Sequence, residues 1–199
     1  MIHLHASAMP ATTVSSVRSA LMPRRYVHLL LAVLPMVGLL ACRDAAPTEA
    51  TVDLTGLVPE GETQVMLQEL PGPTEGTLTY LVRVVTRLEG VASYQGEVTF
   101  APGSLELLSS RTPAGADGEM FLVNAQGAQG RIRFSALTTE HFSTDEAFRF
   151  TVRPTGPLSA ARLAATLEVV GHVSGTAVDR ARVRSADGVR DVKGRLVTR

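Results

Sequence analysis

The chain has 199 residues, 45% of them apolar, enough for one hydrophobic core but not for two once leader and linker segments are set aside. Its 19 Lys and Arg balance 19 Asp and Glu, but residues 1–41 hold Arg18, Arg24 and Arg25 and no acid, which leaves 16 basic against 19 acidic residues beyond them. That excess of about three acids argues against general affinity for nucleic acid, and the lone Cys42 excludes an intrachain disulfide, a thiolate zinc cluster and a CxxC redox pair.

Arg24 and Arg25 precede an uncharged run over residues 26–41, the charged and apolar regions of a signal peptide. The run is shorter than the ~20 apolar residues a membrane span needs, and Pro35 interrupts it. It ends in Leu39-Leu40-Ala41-Cys42, which resembles the bacterial lipobox, in which a small residue precedes a cysteine that is diacylated and becomes the new N-terminus. Residues 1–41 are therefore expected to be a signal peptide, with Met22 as an alternative start. Cys42 is the expected lipidation site, and an ordinary signal peptide with an incidental cysteine is the competing reading. Buried acyl chains, at about 0.8 kcal/mol per methylene, hold a protein on a bilayer without a spanning helix. Residues 42–52 are short, polar and proline-containing, as a flexible tether requires. Arg43, where aspartate is the commonest inner-membrane retention cue, leans the expected location toward the outer membrane. The expectation is a lipid-anchored protein of the bacterial cell envelope, periplasmic or at the outer-membrane or cell surface.

From Asp53 onward apolar residues recur with period two between Gly, Pro and Asp punctuation, the pattern of β-strands. Over residues 78–84, Leu78, Tyr80, Val82 and Val84 are expected to face a core while Thr79 and Arg83 face out. Similar alternation predicts strands over 94–100, 131–136, 148–152 and 163–169, and weaker ones over 63–67, 105–108 and 119–123. Turn signals at Pro71-Gly72-Pro73, Ala101-Pro102-Gly103, Asp117-Gly118 and Pro154-Thr155-Gly156-Pro157 join them, which favours an all-β sandwich over a βαβ fold. Two short stretches, 138–143 and 158–161, could make single helical turns. The tail interleaves Arg180, Arg182, Arg184, Arg190, Lys193, Arg195 and Arg199 with Asp179, Asp187 and Asp191, and its valines suggest a hairpin turning at Asp187-Gly188.

The succession Val98-Thr99-Phe100, Ala101-Pro102-Gly103-Ser104-Leu105-Glu106-Leu107-Leu108, Gly130-Arg131-Ile132-Arg133-Phe134-Ser135-Ala136 and Ala147-Phe148-Arg149-Phe150-Thr151-Val152 resembles the cohesin domains of cellulose-degrading assemblies and their carbohydrate-binding relatives. Ala101 departs from the aspartate that family members often carry before the proline. The resemblance covers residues 53–188 and implies a jelly-roll β-sandwich of about nine strands, with residues 189–199 as a last strand or a frayed basic tail. It also implies a binding module whose sheet face receives a dockerin-like helical partner, here a face made of Gln95, Glu97, Thr99, Arg131, Arg133 and Ser135. Any one of these six could equally be the solvated side of a sandwich.

A polysaccharide ligand is the second expectation, but the domain has no Trp, and Tyr80 and Tyr94 fall on the core side of their strands. A calcium site has only Asp145-Glu146 or Asp117 to build on. An enzyme would have to be built from His141, His172, Asp145, Glu140 and scattered serines, with no nucleophile elbow and no metal-spaced histidine pair. The sequence therefore points to a non-enzymatic, lipid-anchored module that needs no cofactor and no metal and binds a protein partner. A glycan-binding module or a purely structural envelope lipoprotein are the alternatives.

Overall fold

In the computed structural model, which describes residues 52–198, each run of alternating apolar residues is extended and no helix is longer than a single 3-10 turn. The strands are β1 (Thr63–Pro71), β2 (Leu78–Thr86), β3 (Val91–Thr99), β4 (Leu105–Arg111), β5 (Glu119–Gln126), β6 (Arg131–Thr138), β7 (Glu146–Pro154), β8 (Ala164–His172), β9 (Val183–Arg184) and β10 (Val189–Arg190). Two sheets result. One has the order β10-β1-β2-β7-β4, with β9 also pairing β1, and the other has the order β5-β6-β3-β8. This is the expected all-β sandwich, with ten strands where about nine were expected. The expected signal peptide, the expected lipidation site Cys42 and the expected tether, save Val52, lie outside the described residues. No helix among the described residues is long and apolar enough to cross a membrane.

Period-two alternation places one side of each strand in a shared core. Tyr80, Phe148 and Phe150 of the first sheet stack at 5.3 and 5.8 Å between ring centroids, and Phe134 of the second sheet meets Phe148 at 5.3 Å. Tyr80, Val82 and Val84 face this core as expected. Arg83 does not face solvent, however, and Thr79 is buried as well, its hydroxyl bonded to that of Thr151 at 3.1 Å. For Arg83 the reason lies before the first strand, where a 3-10 turn at Thr55–Leu57 lets Leu54 and Val58 pack on Met66 and Val85, so that residues 52–58 form a strap over the outer side of the six-stranded sheet. Under the strap Arg83 donates from Nε to Asp145 Oδ1 at 3.0 Å, from Nη2 to Asp145 Oδ2, and from Nη1 to the Val52 carbonyl at 2.6 Å.

Leu158–Ala161 forms its 3-10 turn, whereas residues 138–143 end strand β6 and run on as loop. The tail also differs from expectation. No hairpin forms at Asp187-Gly188; β9 and β10 run on in the same direction, each pairing β1 in parallel. The reversal comes one step later, where Asp191 N donates to Arg195 O at 2.8 Å and Val197 N to Val189 O at 2.7 Å. Gly194, at φ 76°, supplies the left-handed residue this turn requires, and the Asp191 carboxylate accepts from the backbone N–H groups of Lys193 and Arg195.

Candidate functional site

The four-stranded sheet presents an outer face that no described segment covers. Register sets it out in rows. Met120, Leu137, Ser93 and Gly171 lie across β5, β6, β3 and β8, followed by Leu122, Ser135, Gln95 and Val169, then Asn124, Arg133, Glu97 and Thr166, then Gln126, Arg131, Thr99 and Ala164. The six residues proposed from sequence, Gln95, Glu97, Thr99, Arg131, Arg133 and Ser135, therefore share one face of two neighbouring strands.

The face is divided chemically. At one end Glu97 Oε2 lies 3.3 Å from Arg131 Nε and 4.0 Å from Arg133 Nε, pairs exposed enough to contribute little to stability. At the other end Met120, Leu122, Leu137 and Val169 stand 49%, 57%, 45% and 51% exposed around Ser93, Gln95 and Ser135. They line a shallow hollow of about 210 Å³. Four half-exposed aliphatic side chains on one sheet face are unlike the scattered apolar residues of an ordinary surface.

Those four residues were not singled out from the sequence. Met120 and Leu122 sit in β5, where Phe121 and Val123 are also apolar, so alternation alone does not tell the inner side from the outer. Leu137 follows Ala136, the last residue of its expected strand, by one. Val169 shares parity with the buried Ala165 and Leu167 and reads as core. The ladder shifts between Gln95 and Gly96, however, so that Val170 is buried and both Glu168 and Val169 point out. Gln95 Nε2 donates to Glu168 Oε2 at 3.1 Å beside this bulge. At Gly96 a Cβ would stand 2.3 Å from the Thr166 carbonyl oxygen, so only glycine lets β3 approach β8 there.

Three of the residues from which other chemistry would be built, Asp145, Glu146 and His172, are already engaged. Asp145 binds Arg83, and Glu146 receives two hydrogen bonds from Arg149 at 2.8 and 2.6 Å. Among the described residues no cluster of three His, Cys, Asp or Glu side chains could hold a metal ion. His172 Nδ1 lies 2.9 Å from Ser174 Oγ and accepts from Ser174 N at 3.1 Å, a local turn arrangement. No hydrogen bond between a histidine ring and a carboxylate is found among the described residues. Tyr80 and Tyr94 are core residues. Burial pushes the Tyr94 hydroxyl pKa upward, and the negative charges of Glu119 and Asp145 push it further. Glu119 accepts from Ser143 N, from Ser143 Oγ at 2.7 Å and from Ala116 N at 2.7 Å, which ties the β6–β7 loop and its Phe142 over Tyr94 and Phe121.

No protein-family model matches the chain, and no curated protein does. Among solved structures it is similar to a non-cellulosomal cohesin from the archaeon Archaeoglobus fulgidus, at 16% identity and a TM-score of 0.46 over 63% of this chain and 88% of that one. It is similar to a type II cohesin module from an adaptor scaffoldin of Acetivibrio cellulolyticus, at 8% identity and 0.47 over 64% and 94%. It is also similar to a chain of a type I cohesin–dockerin complex from Clostridium thermocellum, at 8% identity and 0.46 over 65% and 99%.

Proposed function

We propose that this chain is a non-catalytic protein-binding module of the bacterial cell envelope, held to a membrane by lipidation of Cys42, and that the outer face of its four-stranded sheet docks a helical partner. The observation that carries this reading is the exposed aliphatic group Met120, Leu122, Leu137 and Val169 beside the Glu97, Arg131 and Arg133 charges on one uncovered face. Desolvating such aliphatic side chains supplies affinity, at roughly 25 cal/mol per Å² of apolar surface. The flanking charges supply orientation and speed of encounter more than affinity. A pair of helices packs on a flat, shallow sheet face more readily than a sugar chain does, because the face offers no exposed aromatic ring.

A dockerin is the first partner to try, being the partner the cohesin resemblance implies. The experiment is capture of the source organism's envelope proteins on the full chain, run in parallel with the Leu122→Arg and Leu137→Arg variants. A protein retained by the parent and lost from both variants supports the reading. Retention of polysaccharide alone, or of a protein indifferent to both substitutions, overturns it. Lipidation is tested separately by metabolic labelling with a fatty acid, which must be incorporated by the parent chain and not by Cys42→Ser.

A further inference from the structure

Where β2 turns into β3, one end of the sandwich opens into a cavity of about 400 Å³, within the size range of small-molecule sites. One wall is the turn over residues 88–91. Thr86 Oγ1 accepts from Leu88 N at 3.1 Å, Gly90 O accepts from Val173 N at 2.8 Å, and a Cβ at Gly90 would stand 2.3 Å from His172 Nε2, so this turn is fixed against its neighbours. The other wall is the β6–β7 loop over residues 141–145, which the Glu119 carboxylate holds through Ser143 and which Val84 N joins at Asp145 O, 2.7 Å away.

Tyr94 lies at the floor between them. Its ring is 4.9 Å from that of Phe142, and Leu88 and Val91 extend the apolar lining. Tyr94 is 4% exposed, and its hydroxyl is buried with no hydrogen-bond partner among the described residues. A buried hydroxyl in that state has lost its hydration and gained nothing in exchange, so it favours any ligand atom that can hydrogen-bond to it.

The charge around the cavity has one sign. Its ionisable lining consists of two carboxylates, Glu89 and Asp145, together with His141, and includes no Lys or Arg. The Arg83 guanidinium that pairs with Asp145 is buried and does not line the cavity, and the Glu89 carboxylate has no partner among the described residues. Burial raises the Tyr94 pKa first, and the charges of Glu119 and Asp145 raise it further, which marks a negative potential at the phenol.

We infer that this cavity binds a small organic cation, a protonated amine with an apolar body, whose head group hydrogen-bonds the Tyr94 hydroxyl and whose charge is matched by Glu89 and Asp145. The apolar body packs on Leu88, Val91 and Phe142, and the aromatic faces of Tyr94 and Phe142 favour a cation beside them. A rotamer change of the half-buried Phe142 ring gives the head group access to the hydroxyl without moving either wall. An anion of the same shape meets two carboxylates and is refused. The site lies at the end of the sandwich and stands apart from what the sheet face binds.

The test titrates the isotope-labelled full chain, carrying Cys42→Ser, with phenethylamine and separately with phenylacetate, similar in shape and opposite in charge. The amine is expected to move the backbone amide signals of residues 88–91 and 141–145 saturably, in the roughly millimolar range a fragment of this size reaches, and to leave those of Leu122 and Leu137 in place. Phenylacetate is expected to move none of them. Tyr94→Phe should unfold no earlier than the parent, because its hydroxyl has no partner to lose, yet bind the amine roughly tenfold more weakly. Glu89→Gln, at an exposed position, should weaken the amine roughly threefold. No saturable shift at those amides, equal binding of the acid, or undiminished binding by Tyr94→Phe overturns the inference. Earlier unfolding of Tyr94→Phe would show the hydroxyl to be already paired and would overturn it as well.

Discussion

The outer side of β2 carries Arg83 at 3% exposure, whereas the outer side of β5 carries Leu122 at 57%. Both sheets arise from the same period-two pattern, and both have an outer as well as an inner side. The strap over residues 52–58 separates them, because it covers the six-stranded sheet with Leu54 and Val58 and leaves the four-stranded sheet bare. Apolar residues beneath a strap are a second small core, and those on a bare face are an energetic cost that binding would offset. Val52, whose carbonyl Arg83 holds, packs with the strap on the covered sheet.

Removing the Asp145 side chain should disturb the covered side most. Asp145→Ala leaves the Arg83 guanidinium buried without its carboxylate, and the expected loss is about 3 kcal/mol, the low end for a broken buried pair because Asp145 is itself partly exposed. Urea denaturation reads it. Replacing both members with apolar residues should recover much of the loss, and an undiminished midpoint for Asp145→Ala would show that the strap is not held as described.

A paired substitution sharpens the contrast between the faces. Leu54→Ala empties a fully buried position and should cost about 2–3 kcal/mol, while Leu122→Ala should change stability by no more than about 0.5 kcal/mol. Equal effects in thermal unfolding would mean that the two faces are not differently covered.

The smallest effect belongs to Glu119. Burial pushes its carboxyl upward, but the hydrogen bonds from Ser143 and Ala116 and the nearby His141 outweigh that and hold it below the ordinary carboxylate value. A carboxyl depressed in the folded state stabilises fully above its unfolded value, near 4.5, and that contribution disappears as pH falls through the folded one. The stability difference between the parent and Glu119→Gln should therefore be constant above about pH 5 and shrink at lower pH. A difference that grows on acidification would contradict the assignment.

Much of this was legible in the chain because alternation is local. The inner sides of β2, β3, β6 and β7 follow from residues such as Tyr80, Val98, Phe134 and Phe148, and the outward parity of Gln95, Glu97, Arg131 and Arg133 follows with them. What was not legible is non-local. Arg83 reads as a surface residue until a segment far from it in sequence folds across it, and Val169 reads as core until a bulge shifts its strand by one. Asp187-Gly188 carries a strong turn signal, yet parallel pairing with β1 on either side of it keeps the chain running in one direction and moves the reversal to residues 191–195.

The most direct test of the account compares the two faces in one experiment. A photo-cross-linking amino acid is placed at Leu122 on the bare face, 57% exposed, or at Leu57 on the strap, 47% exposed, and the full chain is irradiated in the source organism's envelope fraction. The account predicts an adduct with one other protein from position 122 and none from position 57. An adduct with the same protein from position 57, or no foreign protein at position 122, would contradict it.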